Sequence, residues 1–318
     1  MIIDERNKTV LGEANKMEIQ TTELNRNKYH NKTQLQEYFD LQDELVKATF
    51  GEDARGKRMF DVFNYLSNEN DRKGGLATEL LKTFKGDCEF VTNTIKATLS
   101  GCRGENMAFR SLETLKTKHL VVKNVELEFD GHKTEIDAVV LTKKGAVIVE
   151  VKNTSRNVVI TRSGNLKRQA KDGTYSFDCQ LGLKLNDKEF VLGRALAKSD
   201  YKNVPVKSIV VFTNGDIEVD NQSEYIKICS LSELPHVIQS FANCGWGNYG
   251  IEEMRNMASA INQSRAAFHY SDKEKLVQIK AHYEDLVALL NSKPEKQGFF
   301  ERVKKWFKLE KKSAALAS

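Results

Sequence analysis

Between Thr134 and Asn153 the chain reads TEIDAVVLTKKGAVIVEVKN. Ile136, Ala138, Val140 and Leu141 form one apolar run, and Ala146 to Val151 a second, nearly continuous one. β-Branched residues dominate both, which is the composition of strands largely buried in a sheet. Lys143-Lys144-Gly145 between them supplies a hairpin turn. Folding the chain about Lys144-Gly145 places opposite one another residues whose numbers sum to about 289, so Asp137 is predicted to face Lys152, with Glu150 one diagonal step away.

The same pattern, read outwards, predicts the neighbouring elements. His119 to Phe129 is a strand, and Asp130-Gly131 turns it into the hairpin. Val158 to Thr161, Ser208 to Thr213 and Ile226 to Cys229 are further strands. Asn186 to Lys198 is a helix capped by Asn186, and Leu231 to Phe241 is another. Strand and helix alternate here, which gives an α/β core. Upstream, helix-period spacing begins at Thr33 with the capping pattern Thr33-x-x-Gln36. Met59 to Leu66, Leu76 to Leu81 and Phe90 to Leu99 follow, the last two separated near Gly86-Asp87. Residues 1 to about 32 are polar and carry no such pattern. Glu105 to Thr117 reads as a helix opening at Gly104, with Glu105, Ala108, Leu112 and Leu115 on one stripe. A Glu there either complements the helix dipole from the first turn or points inward to the sheet.

Past residue 243 the pattern is helical. Ile251, Met254, Met257, Ile261 and Phe268 make one stripe. Leu276, Ile279, Tyr283, Leu286 and Leu290 make a coiled-coil seam spaced 3, 4, 3, 4. Two such helices predict an antiparallel hairpin whose seam packs within the chain, with a homodimer or partner contact through these helices as the alternative. In the tail, Phe299, Phe300, Val303, Trp306 and Phe307 share one helix side, with Lys304, Lys305, Lys308, Lys311 and Lys312 around the rest. Docking on the hairpin, a nucleic-acid clamp and a membrane-surface helix are the readings, in that order. The expected regions are therefore a helical N-terminal extension over 1–100, an α/β core over 101–242, and a helical hairpin with basic tail over 243–318.

Composition adds limits. The formal charge is +5, and residues 291–312 hold eight Lys and Arg against three Glu, so the rest is near neutral. The five cysteines are scattered, with no Cys/His cluster of zinc spacing, and fit reduced thiols in a cytoplasmic protein. No stretch has the ~18–20 apolar residues of a membrane span, and no phosphate-binding glycine loop implies ATP.

The polar interruptions of the hairpin carry the chemistry. Glu150 and Lys152 are two apart and share a face, so with Asp137 they place two carboxylates and an ammonium on one patch of a buried sheet. Such charges are costly to bury unless paired or metal-bound. An ordinary Asp–Lys–Glu ion cluster is one reading. The other is a hard divalent cation, Mg²⁺ with Mn²⁺ as an alternative, which takes oxygen ligands and activates phosphoryl groups and water. Lys167, Arg168 and Lys171, followed by Tyr175 and Phe177, offer phosphate contacts and base stacking on a hairpin, or else a solvated surface.

Three pieces in order, RGENMAFRSLETL, TEIDAVVL and AVIVEVKN, with VPVKSIVVFTNGD after them, resemble the NERD (nuclease-related) domain, a branch of the PD-(D/E)XK nucleases. The resemblance implies a restriction-endonuclease-like mixed sheet flanked by helices, here with N- and C-terminal helical extensions. It implies metal-dependent hydrolysis of nucleic acid, DNA ahead of RNA, leaving 5′-phosphate and 3′-hydroxyl. By position Asp137 and Glu150 would bind metal, with the Val151 carbonyl as a further ligand. Lys152 would be the catalytic lysine and Glu105 the helix carboxylate. The family's auxiliary Gln has no clear equivalent; Gln169 and Gln180 are the candidates. A nucleic-acid-binding or protein-assembly module that kept this fold without turnover is the alternative function.

Overall fold

The computed structural model describes residues 29–244, 247–266 and 272–292. Seven helices and nine strands lie among them. The tail Gly298–Lys312 and the polar first residues fall outside. The chain divides into two compact units: one contains Lys96–Tyr270, the other Gln36–Ile95 and the segment from Ser271 on.

The first unit is built on a five-stranded mixed sheet. Its strands are β1 (His119–Phe129), β2 (His132–Thr142), β3 (Gly145–Lys152), β7 (Val206–Phe212) and β9 (Lys227–Ser230), in the order β1-β2-β3-β7-β9. β1, β2 and β3 are antiparallel neighbours, while β3, β7 and β9 run parallel. β1 begins and ends where the hydrophobic pattern puts it. Asp130 and Gly131 both take positive φ, 52° and 80°, so Phe129 closes directly on His132.

The register of the central hairpin differs from the sequence expectation. Ala138 pairs with Val149 and Thr142 with Gly145. The turn is therefore centred on Lys143-Lys144, and Asp137 comes level with Glu150 rather than with Lys152. Gly145 is needed for another reason: at φ 137° it is the first residue of β3, where a Cβ would collide with the Pro205 carbonyl oxygen. That carbonyl instead accepts the Ala146 N–H at 2.9 Å and joins β3 to the strand beside it.

A second, four-stranded sheet has the order β6-β5-β4-β8, from β4 (Val158–Ile160), β5 (Leu166–Gln169), β6 (Tyr175–Cys179) and β8 (Val219–Asn221). Helix α4 (Leu181–Ala197) and helix α6 (Ile251–Gln263) cover one face of the main sheet, burying Val191, Leu192, Met254 and Met257 against Val139, Leu141 and Ile148. The other face takes α5 (Leu234–Cys244) and the end of α3 (Thr78–Leu112), through Leu234, Ile238, Ala108 and Leu112. The α/β architecture with helices flanking mixed sheets is thus observed.

Helix α3 corrects two expectations. The sequence predicts breaks near Gly86 and at Gly104, but one 35-residue helix runs through Gly86, Gly101 and Gly104. A glycine inside a helix costs only about 1 kcal/mol, which packing overrides. Glu105 therefore sits deep in the C-terminal part of α3 and not in a first turn, so the dipole reading of this residue fails. Helix α4 likewise starts five residues before the predicted cap Asn186, with Gln180 at the N-cap position.

The second unit contains α2 (Met59–Arg72), α7 (Lys273–Asn291), most of α1 (Tyr29–Phe50) and the first half of α3. The α7 seam Leu276, Ile279, Tyr283, Leu286 and Leu290 is buried as its spacing predicts. Helices α6 and α7, which the sequence pattern joins as a hairpin, fall in different units. The buried Asp87 carboxylate accepts from Lys275 Nζ at 2.9 Å and pairs with His282 Nδ1 at 2.6 Å. Among the described residues no helix is long and apolar enough to cross a membrane.

Candidate active site

Strand alternation sets the face of each polar group. Ala146 and Ile148 of β3 point toward α4, and Val147 and Val149 toward α3 and α5. Glu150 and Lys152 have the parity of Ile148 and so face α4. Asp137 shares the parity of Val139 and Leu141 and joins them.

Glu150 is buried, 6% exposed. Its Oε1 accepts from Lys152 Nζ at 2.7 Å, and its Oε2 accepts from Lys188 Nζ of α4. The Asp137 carboxylate accepts the Val151 N–H at 2.6 Å. Glu105 reaches this cluster through its charge, which bears on Asp137. The end of β3 is fixed beside α3. Asn153 Nδ2 donates to the Ser100 carbonyl at 2.8 Å, and the Thr213 N–H donates to the Lys152 carbonyl at 3.1 Å. Gly104 lies so close to Asn153 that a Cβ there would stand 2.6 Å from the Asn153 Cβ. That approach explains a glycine one residue before Glu105.

Asp137, Glu150 and Lys152 are thus brought together on one sheet face, Glu105 of α3 bears on Asp137 through its charge, and Lys188 joins them unpredicted. Its signal was in the sequence. Leu181, Leu185, Lys188, Leu192 and Ala195 are spaced 4, 3, 4, 3, and all are buried, so Lys188 stands in a core stripe of α4. Starting the helix at Asn186 hides that stripe. Lys167 and Arg168 lie on β5 and Lys171 in the turn after it. Arg168 is held by Asp178 at 3.0 Å, whereas Lys171, Tyr175 and Phe177 are exposed. Gln180 is exposed and makes no capping bond with its side chain.

Electrostatics divide the two carboxylates. Burial and the neighbouring Glu150 charge push the Asp137 carboxyl up to about 7, with Glu105 adding and Lys188 and the Val151 N–H partly offsetting. For Glu150, burial acts upward too, but Lys188 and Lys152 outweigh it and hold the carboxyl well below its usual range. Burial would lower the Lys152 ammonium; Glu150 and Asp137 reverse this and keep it charged beyond its ordinary range.

Residues 100–213 match the family model of NERD, the nuclease-related domain. The NERD segment covers α3 from Ser100 to its end, β1 to β7 and α4, so all four expected site residues and Lys188 fall within it. Neither the curated proteins nor the solved structures give a match to the chain.

The neighbouring carboxylates of β2 and β3, Asp137 and Glu150, are of the oxygen-donor type a hard cation takes. Among the described residues no three His, Cys, Asp or Glu side chains are gathered into a ready-made ligand group. Mg²⁺ does not require one, because it keeps several waters and binds through one or two carboxylates plus substrate phosphate. The Asp137 carboxyl is raised first by burial and then by the Glu150 charge, and a cation bound beside it would favour its ionised form. Asp137 and Glu150 are the two residues that could hold such an ion.

The titration of Asp137 has a sign that can be checked. Its carboxyl holds its proton to a higher pH in the folded chain than the ~3.9 of an unfolded Asp. The folded state thus binds more protons between about pH 4 and 7, and this group's contribution to stability is lost as pH rises through that window. Thermal unfolding of metal-free protein should show a decline in Tm from pH 5 to 8 that is smaller in Asp137→Asn. Added Mg²⁺ or Mn²⁺ should raise Tm more at pH 8 than at pH 5, since the ion needs the ionised carboxylate. Equal metal effects at both pH values would remove Asp137 from the ligand set.

Proposed function

We propose that the NERD segment hydrolyses phosphodiester bonds of nucleic acid with the help of a divalent cation, Mg²⁺ or Mn²⁺, at Asp137 and Glu150. The observation that carries the reading is the convergence of Asp137, Glu150 and Lys152 on one sheet face, with Glu105 in electrostatic reach, inside a nuclease-related segment. When bound, the ion supplies Lewis-acid polarisation of the phosphate and a water of lowered pKa.

The chain's own groups do the rest. The Val151 N–H orients Asp137, and Lys152 and Lys188 hold the Glu150 carboxylate, so an ion must displace or share a Glu150 oxygen with an ammonium. Lys152 is a charged donor at neutral pH, suited to steadying negative charge on the phosphate and orienting a water rather than removing its proton. Glu105 supports a second ion or orients the site from α3. Lys167 and Lys171 on the β5–β6 hairpin offer phosphate contacts, while Arg168 is committed to Asp178.

The test is incubation of the full-length chain with single- and double-stranded DNA and RNA, with Mg²⁺, with Mn²⁺ and with EDTA. Cleavage that needs the metal and leaves 5′-phosphate ends is expected on at least one substrate. Metal-independent binding with no cleavage of any would favour the non-catalytic binding or assembly module and overturn the enzyme.

A further inference from the structure

Lys188 is a lysine where the α4 stripe calls for an aliphatic residue. Its side chain is about as enclosed as that of Glu150, at 10% and 8% exposure. A buried ammonium is costly without a partner, and its hydrogen-bonded partner is Glu150 Oε2. Lys152 already occupies Oε1, so one carboxylate carries two ammoniums, one on each oxygen. Glu150 alone would need only one of them; the Lys188 charge also bears on Asp137.

Resting on the nuclease reading of this site, we propose that Lys188 is an internal counter-cation that competes with the divalent ion for Glu150 and thereby sets the metal concentration at which the site loads. An ion arriving at Glu150 meets a positive charge on whichever oxygen it approaches. Lys152 can swing away, since its side chain is 24% exposed. Lys188 has far less freedom, since its side chain is 10% exposed and it stands in the buried stripe of α4 between Leu185 and Leu192. Its charge therefore opposes the ion in every loaded state, and it holds Glu150 in place in the unloaded one. Lys188 acts through Glu150 and is a positioning residue, not one that touches the phosphate.

The probe is the metal alone. Mn²⁺ binding to full-length wild type, Lys188→Met and Lys188→Arg is measured by titration calorimetry at pH 8, with thermal unfolding as a check on the fold. Met matches the stem and suits the stripe; Lys188→Leu restores the stripe outright and serves if Met folds poorly. Removing a cation a few Å from the ion should tighten Mn²⁺ binding by about tenfold or more in Lys188→Met or Lys188→Leu. Lys188→Arg, which keeps the charge, should stay near wild type. A merely structural lysine would leave affinity unchanged or weaken it along with stability, and that result in a folded variant overturns the proposal. If wild type cleaves with metal but the neutral variants bind Mn²⁺ no tighter, this inference alone falls. If wild type neither binds Mn²⁺ nor cleaves, the nuclease reading falls and takes the inference with it.

Discussion

Asp137→Asn and Glu150→Gln should each abolish metal-dependent cleavage, by about a thousandfold or more, since losing a ligand removes several kcal/mol of charge stabilisation and water activation. The structure adds that their effects on stability should run in opposite directions. Asp137 is a carboxyl under repulsion, held up to about 7 by burial and by Glu150. Asn keeps an oxygen for the Val151 N–H and removes the charge, so metal-free Asp137→Asn should melt higher than wild type at pH 8. Glu150 is the counter-ion of two buried or half-buried lysines. Gln leaves both ammoniums short of a carboxylate, at a cost of about 3 kcal/mol, so Glu150→Gln should melt lower. Both variants should bind uncleaved nucleic acid at least as tightly as wild type, because negative charge has left the phosphate path. Normal turnover by either variant would sink the site; Tm shifts of the same sign in both would sink the electrostatic account while leaving the ligands in place.

Parity along strands was the most legible property of this chain. That Glu150 and Lys152 share a face follows from their spacing alone, and β1 runs from His119 to Phe129 as the pattern predicts. The order of three short motifs was enough for the family resemblance, which the match over residues 100–213 bears out. Register was less legible, since it depends on which two residues form the turn. Gly145 looked like a turn glycine, yet a side chain there is also excluded by the carbonyl of Pro205, just before β7 and 60 residues away in sequence, which no local pattern reveals. Helix continuity through Gly86 and Gly104 was illegible for a related reason. A glycine weakens a helix slightly everywhere but permits close packing at one place, here against Asn153. Asp87, which resembles half of a helix stop, is instead a buried acceptor for Lys275 and His282. Lys188 was legible in principle and missed because a charged residue is normally read as a solvated face.

Lys152→Ala should lower kcat by about a hundred- to a thousandfold while leaving metal binding intact or slightly tighter. The ammonium acts where charge develops on the phosphate, so its loss belongs to the transition state rather than to substrate or metal affinity. Among the two lysines on Glu150, Lys152 is the one with solvent access, and a group that must meet a phosphate arriving from solvent needs that access. The two substitutions therefore separate two roles that share one carboxylate: neutralising Lys188 should move the metal titration, and neutralising Lys152 should move turnover. Lys152→Arg should recover little, because the planar guanidinium is bulkier than an ammonium and does not reproduce a compact charge 2.7 Å from Glu150 Oε1. Steady-state and single-turnover kinetics at saturating Mg²⁺ decide the matter. Near-wild-type kcat in the Arg variant would reduce Lys152 to a structural counter-ion, and an Ala variant whose defect disappears at high metal would assign it to ion binding instead.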